Sequence, residues 1–295
     1  MRLTRGERVF QGFNYLFLLA VGFCAAFPFW NIFVVSFNDA RDAMRGSIYF
    51  WPRKFSIEAY LAIFNESSLV HATYISIART VLGTVLGLAC TAVLAYLLAN
   101  RELVFRRVFL FFFIFTMYFS GGLIPEFMLF KTLHLYNNFL VYIVPMALNI
   151  WNVMVMRQFF EELPASLAES ARIDGASELR TLRSIILPMA TPVMATIALM
   201  IGVQQWTTWF DTYMFTSGSN DLATLQGVLV KILMETQIQS TDPAQAARLE
   251  QAGSILTPEV IKMATITITT VPIVMIYPFL QRYFVGGLTV GAVKG

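Results

Sequence analysis

The sequence predicts an all-α integral membrane protein: six transmembrane helices and a cytoplasmic helix-turn-helix. Three observations lead there. Of 295 residues, 57% are hydrophobic and 13% charged, with a mean hydropathy of +0.64, whereas soluble domains carry about 25% charged residues. The apolar residues are gathered in blocks long enough to cross a hydrocarbon core of about 30 Å. Between the fourth and fifth blocks lies a polar stretch with helix signals of its own, at 163–188.

Taken in order, the chain opens with Arg2, Arg5 and Arg8 before an apolar run at 12–37. A basic flank before such a run also describes a signal peptide, and Cys24-Ala25-Ala26 offers a small-residue site. The run continues through Pro28 to Val35, so it reads as an uncleaved first span. A polar and aromatic loop follows at 38–70, with Trp51-Pro52-Arg53-Lys54 in it, and then a second span at 73–98. The third, 108–130, starts with the Phe109–Phe115 block and meets Ser120-Gly121-Gly122 and Pro125, which predict a bend or unwinding. Such a bend can face a translocation path or make a notch for a neighbouring helix. Further spans follow at 139–156, 189–210 and 260–280. An external loop at 211–259 carries an amphipathic stretch, 225–234, that can dock a partner or rest on the membrane.

Six spans place both termini on one side. Twelve of the 21 Lys and Arg fall on that side and eight on the other, with Arg79 inside a span. The positive-inside rule therefore puts the termini and the 163–188 loop in the cytoplasm. Cys24 and Cys90 both lie within spans and read as small apolar residues. His71 and His134 are too isolated for a metal site, so no metal ligand is assigned.

The loop at 163–188 reads as helix, tight turn, helix. Pro164 suits a first turn, Leu163, Leu167 and Ala171 share one face, and Glu169 and Arg172 the other. Gly175 can end the first helix in a left-handed conformation. Ser177 can cap the second, with Glu178 in its first turn. This compact knob can fit a cleft on another protein. The alternative is an amphipathic loop lying on the lipid surface.

The spacing Glu169-Ser170-Ala171, three residues, Gly175, nine residues, Ile185-Ile186-Leu187-Pro188 resembles the cytoplasmic EAA loop of bacterial ABC importer permeases, with Ser170 where that pattern has Ala. The run Phe115-Thr116-Met117-Tyr118-Phe119-Ser120-Gly121-Gly122-Leu123-Ile124-Pro125 and the ending Gly287 to Gly295 are similar to carbohydrate-uptake permeases related to the second maltose-importer permease. Their branch for complex saccharides, such as alginate or pectin oligosaccharides, is the most similar. Gln205-Trp206-Thr207-Thr208-Trp209-Phe210 resembles that family's fifth-span Trp-Asn sequence, with Thr207 in place of Asn.

The resemblance implies a type I ABC importer fold forming a single permease domain over 1–295 in a bacterial cytoplasmic (inner) membrane. It implies pairing with a second permease, as a heterodimer, two ATPase subunits beneath and an extracytoplasmic solute-binding protein above. The function implied is ATP-driven, binding-protein-dependent import of an oligosaccharide, acidic by the branch resembled, with a neutral oligosaccharide as the alternative. ATPase coupling would fall to Glu169, Ser170, Ala171, Asp174, Gly175, Leu187, Pro188 and, near the end of the tail, Lys294. The chain has no Gly-x-x-x-x-Gly-Lys-Ser/Thr sequence, so ATP and Mg belong to the partner ATPases and this chain is not an enzyme.

Candidates for the sugar path are Tyr118, Trp206, Trp209 and Tyr213, whose rings can stack on sugars or anchor and pack span ends. Arg79 is the fifth. A cation inside a span can pair with an acidic sugar, hydrogen-bond neighbouring helices or snorkel outward. An ion-coupled carrier would need acids deep in the spans, and none falls there. Nothing in the sequence points to nucleic acid.

Overall fold

In the computed structural model, residues 4–43, 45–65, 67–241 and 257–287 are described. Helix α1, Arg5–Ser36, begins seven residues before the predicted first span. Thr4 and Glu7 close a capping box there: the Thr4 N–H donates to Glu7 Oε2 at 2.7 Å and the Glu7 N–H to Thr4 Oγ1 at 3.3 Å. The predicted loop at 38–70 is more ordered than expected, holding α2 (Ala40–Ala43) and α3 (Glu58–Asn65). Asn38, just before α2, and Phe55, just before α3, form an antiparallel bridge. Asp42 accepts from Asn38 Nδ2 at 3.0 Å and from Arg53 Nε at 2.9 Å. Those donors hold its carboxyl below the usual aspartate range, the Asn38 bond foremost.

Helix α4 runs through Ser67–Ala99 without a proline. The third predicted span is two helices, α5 (Arg106–Tyr118) and α6 (Leu123–Thr132), meeting at 112°. The predicted break is there because Gly122, the residue before α6, sits at φ 86° and ψ 171°, a region essentially closed to side chains. The stretch at 139–156 is not one helix. It contains a 3-10 turn at Phe139–Tyr142, an irregular segment through Pro145, and α7 at Ile150–Glu162. Two asparagines set those boundaries: Asn138 accepts from the Leu140 N–H and Asn149 from the Asn152 N–H, so each starts a new helical turn.

Helices α8 (Ala165–Ile173) and α9 (Glu178–Thr181) lead into a π-helical turn, Leu182–Ile186, and α10, Leu187–Met189. Helix α11, Thr191–Thr207, then departs at 88° to that run. Helices α12 (Phe210–Phe215), α13 (Leu225–Thr241) and α14 (Pro258–Gly287) complete the described chain. Among the described residues three helices are long and apolar enough to cross a membrane, or five spans if each bent pair counts as one. The predicted six are not reproduced, because 139–156 is broken.

The chain divides into two compact units, one drawing on the chain up to Ser67 and on Leu229–Val271, the other on Ser68–Val228 and the chain from Pro272. The second holds both candidate sites. One of its cores joins Ala92, Ala95 and Leu98 of α4 to Val153, Met156 and Phe160 of α7. Leu182, Ile186, Val193, Ile197 and Ile201 close it from the π turn and α11. Small alanines on α4 let these helices approach closely.

Candidate functional site

The segment from α8 to α10 is built as the spacing predicts. Pro164 precedes α8 at φ −58°, and the one strongly apolar face ends on Ala171, 4% exposed. Helix α8 closes in a Schellman turn. The Ala176 N–H donates to Ala171 O at 2.9 Å and the Gly175 N–H to Arg172 O at 3.0 Å, with Gly175 at φ 77°. No heavy atom lies within 4 Å of a Cβ built on Gly175, so backbone conformation alone demands the glycine. Glu169, Ser170 and Asp174 are exposed, and Ile173 and Leu179 present 86% and 71% of their surface. Ser177 occupies the cap position of α9 with extended backbone, but its side chain makes no cap bond.

Leu187 and Pro188 mark where this segment turns into α11. Pro188 has no N–H to give a preceding carbonyl, and the helix widens into the π turn just before it. Thr191 Oγ1 donates to Pro188 O at 2.7 Å and so satisfies one carbonyl freed at the bend. Lys294 lies outside the described residues.

A polar cluster ties the same segment to the end of α4. The Tyr96 hydroxyl donates to Glu178 Oε2 at 2.6 Å, and Arg172 Nε donates to Glu178 Oε1 at 3.0 Å. Arg172 Nη1 reaches Glu102 Oε2 at 3.1 Å, in the turn between α4 and α5. The spacing at 163–188 places Arg172 and Glu178 on the loop and points to neither Tyr96 nor Glu102. They lie 70 or more residues away along the chain, with no spacing to link them.

Arg79 is 1% exposed and met by protein on every side. Its Nη2 donates to Asp211 Oδ2 at 2.6 Å and its Nη1 to Asp211 Oδ1 and to Thr208 O, both at 3.2 Å. Its Nε and Nη2 share Gln205 Oε1 at 3.2 Å, and the guanidinium carbon stands 4.5 Å from the Tyr142 ring centroid. Gln205 Nε2 in turn donates to Tyr142 O at 3.2 Å. Of the sequence alternatives for Arg79, hydrogen bonding to neighbouring elements is the one this conformation displays. The sequence puts Asp211 at the start of the external loop, whereas it is 7% exposed, at the start of α12. The signal available was its position, four residues beyond α11. Gly83 makes room for the arrangement, since a Cβ there would collide with Gln205 Nε2.

The aromatic candidates are distributed along the chain. Trp206 is half-buried in the last turn of α11, and Trp209 packs edge-on against Phe210 and Tyr213, with centroids 5.8 and 6.5 Å away. Tyr213 is 59% exposed and Tyr118, at the end of α5 where the helix breaks, 78%. Trp209 and Tyr213 are thus brought together, while Arg79, placed with them by sequence, is enclosed with Asp211 and Gln205. Thr207, where the resembled sequence has Asn, spends its hydroxyl on Val203 O at 2.7 Å.

Comparison with known proteins matches residues 83–290 to the model of the binding-protein-dependent transport system inner membrane component family. Protein LplC of Bacillus subtilis (strain 168) is 37% identical over 100% of this chain and 98% of its own length. The polygalacturonan/rhamnogalacturonan transport system permease protein YtcP of the same organism is 33% identical over 98% of this chain and 99% of its own. Among solved structures, a chain of a bacterial ABC transporter involved in the import of the acidic polysaccharide alginate superposes with a TM-score of 0.86. Its sequence identity is 28%, and the match covers 96% of this chain and 99% of that one.

Proposed function

This chain belongs to the binding-protein-dependent transport system inner membrane component family, and from that premise we propose how it takes part in import and what it carries. It is the permease of an ABC sugar importer with the type I permease fold, a non-catalytic membrane subunit whose ATPase is a separate partner. Its cargo is an oligosaccharide of an acidic polysaccharide, of the pectin or alginate kind. It pairs with a second, different permease above two ATPase subunits, receives sugar from an extracytoplasmic binding protein, and keeps both termini in the cytoplasm.

One observation carries the coupling role: the α8–α10 segment presents Glu169, Ser170, Ile173 and Asp174 outward on a turn held by Gly175. A rigid knob of this kind, gripped in an ATPase cleft, moves as a body when the ATPases close. Leu187 and Pro188 pass that movement to α11 across the 88° bend. The acidic cargo is supported by the relatives that handle polygalacturonan/rhamnogalacturonan and alginate. A neutral oligosaccharide is favoured by a different observation: the guanidinium of Arg79 is already matched by the Asp211 carboxylate. Tyr118, Trp206, Trp209 and Tyr213 remain the proposed sugar-stacking surfaces.

The test is reconstitution of the chain with its partner permease and ATPases in proteoliposomes, with binding protein outside. Uptake of uronate and neutral oligosaccharides is then compared in wild type and Gly175→Val. A β-branched residue at positive φ costs about 1–2 kcal/mol, so the variant should assemble and hydrolyse ATP while delivering little sugar. Normal delivery by the variant would remove the coupling role from this turn. Uptake of neutral sugars alone would remove the acidic cargo.

A further inference from the structure

Resting on the coupling role just given to α8, we infer that Tyr96 and Glu102 are positioning residues, forming with Arg172 and Glu178 a clamp that makes α4 a second receiver of ATPase movement. The covalent route from α8 runs through Gly175, α9 and the π turn into α11. The clamp supplies another. Arg172, in the last turn of α8, bridges Glu178 of α9 and Glu102 of the α4–α5 turn, at 3.0 and 3.1 Å. The second oxygen of Glu178 is taken by the Tyr96 hydroxyl in the last turn of α4. Each oxygen of one carboxylate therefore holds a different helix. Any displacement of Arg172 pulls on both.

Two features distinguish this clamp from a stabilising contact. Its ion pairs are open to solvent, with Arg172, Glu178 and Glu102 side chains 38%, 55% and 76% exposed, and exposed pairs of this kind add little to stability. The hydrophobic core beneath, from Ala92 to Ile201, joins α4 to α7 and α11 without these ion pairs, and the ring of Tyr96 packs against it. The ion pairs of the clamp thus contribute little to folding and are free to break and re-form. Helix α4 is suited to receive movement, being 33 residues long without a proline. It also carries, nearer its start, Arg79, whose hydrogen bonds hold Asp211 of α12 and Gln205 of α11.

Tyr96→Phe removes one oxygen and Glu102→Gln one charge, each without change of shape. In proteoliposomes of the full complex with binding protein and saccharide, the quantity to measure is sugar delivered per ATP hydrolysed. A residue that only supports assembly scales both activities together and leaves that ratio alone. The ratio should fall roughly 2- to 30-fold in each variant, with the double variant little worse than the worse single one, and Arg172→Lys should retain more coupling than Arg172→Met. Wild-type ratios in both Tyr96→Phe and Glu102→Gln would overturn the clamp. Failure of both variants to assemble would overturn it too, because the contacts would then be structural. Gly175→Val, run alongside, separates the two ideas: if it delivers sugar normally, the coupling role of α8 itself is wrong. If it uncouples while Tyr96→Phe and Glu102→Gln do not, only the clamp is.

Discussion

Arg79 is tolerated in a buried position because a carboxylate, an amide oxygen, a backbone carbonyl and an aromatic face meet its planar fork. A guanidinium suits such a setting better than an ammonium, since its donors are fixed in direction. Removing one partner is a different matter from removing both. Asp211→Ala leaves a cation at 1% exposure without its counter-charge, and breaking a buried pair from one side costs about 3–5 kcal/mol. Replacing both residues with apolar ones of similar volume should be much milder. Thermal unfolding in detergent checks this: Asp211→Ala should melt well below wild type, and Arg79→Met with Asp211→Leu should recover most of the difference. Equal melting of the two variants would mean that the charge pairing is not what stabilises this site.

Breaks in helices do as much here as helices. The turn from α5 to α6 passes through Gly122 at φ 86° and ψ 171°, and the 112° bend depends on that residue. Gly122→Ala should cost about 1–3 kcal/mol at the break and reduce transport, whereas Gly12→Ala in α1, with open space around it, should do neither. Uptake assays on the two variants decide it, and a Gly122→Ala complex with wild-type uptake would show that the bend tolerates a side chain. The second bend, between α10 and α11, needs no positive φ. It follows instead from Pro188, the π turn before it and Ala190 at φ −90° and ψ 11°. The two bends have different causes, and the sequence predicts only the first.

For the molecule as a whole, the uneven distribution of Lys and Arg and the exposed α8–α10 segment make orientation testable. With Cys24 and Cys90 replaced by Ala, Ser170→Cys should react with a membrane-impermeant thiol reagent only from the cytoplasmic side. Ser56→Cys, at the foot of the Asn38–Phe55 bridge, should react only from outside. Labelling of both from one side would overturn the topology and, with it, the meeting of α8 with an ATPase. The same method tests the crossing at 139–156: with six spans, Asn138→Cys should react only from outside and Gln158→Cys only from the cytoplasm.

The features legible in the sequence are those that short-range chemistry governs. Apolar blocks and scarce charge marked a membrane protein, Gly121-Gly122 and Pro125 marked the break in the third span, and Gly175 marked a turn that the backbone closes with two local bonds. Residues within a few positions of each other suffice for such features, so spacing reveals them. Which distant groups meet is fixed only in three dimensions: Arg79 faces Asp211, Tyr96 holds Glu178 and Glu102 holds Arg172. A charge in a span must find a partner, but the partner is set by how helices pack across more than a hundred residues of chain. No local pattern encodes that choice, because the cost of leaving the charge unpaired is the same whichever residue relieves it.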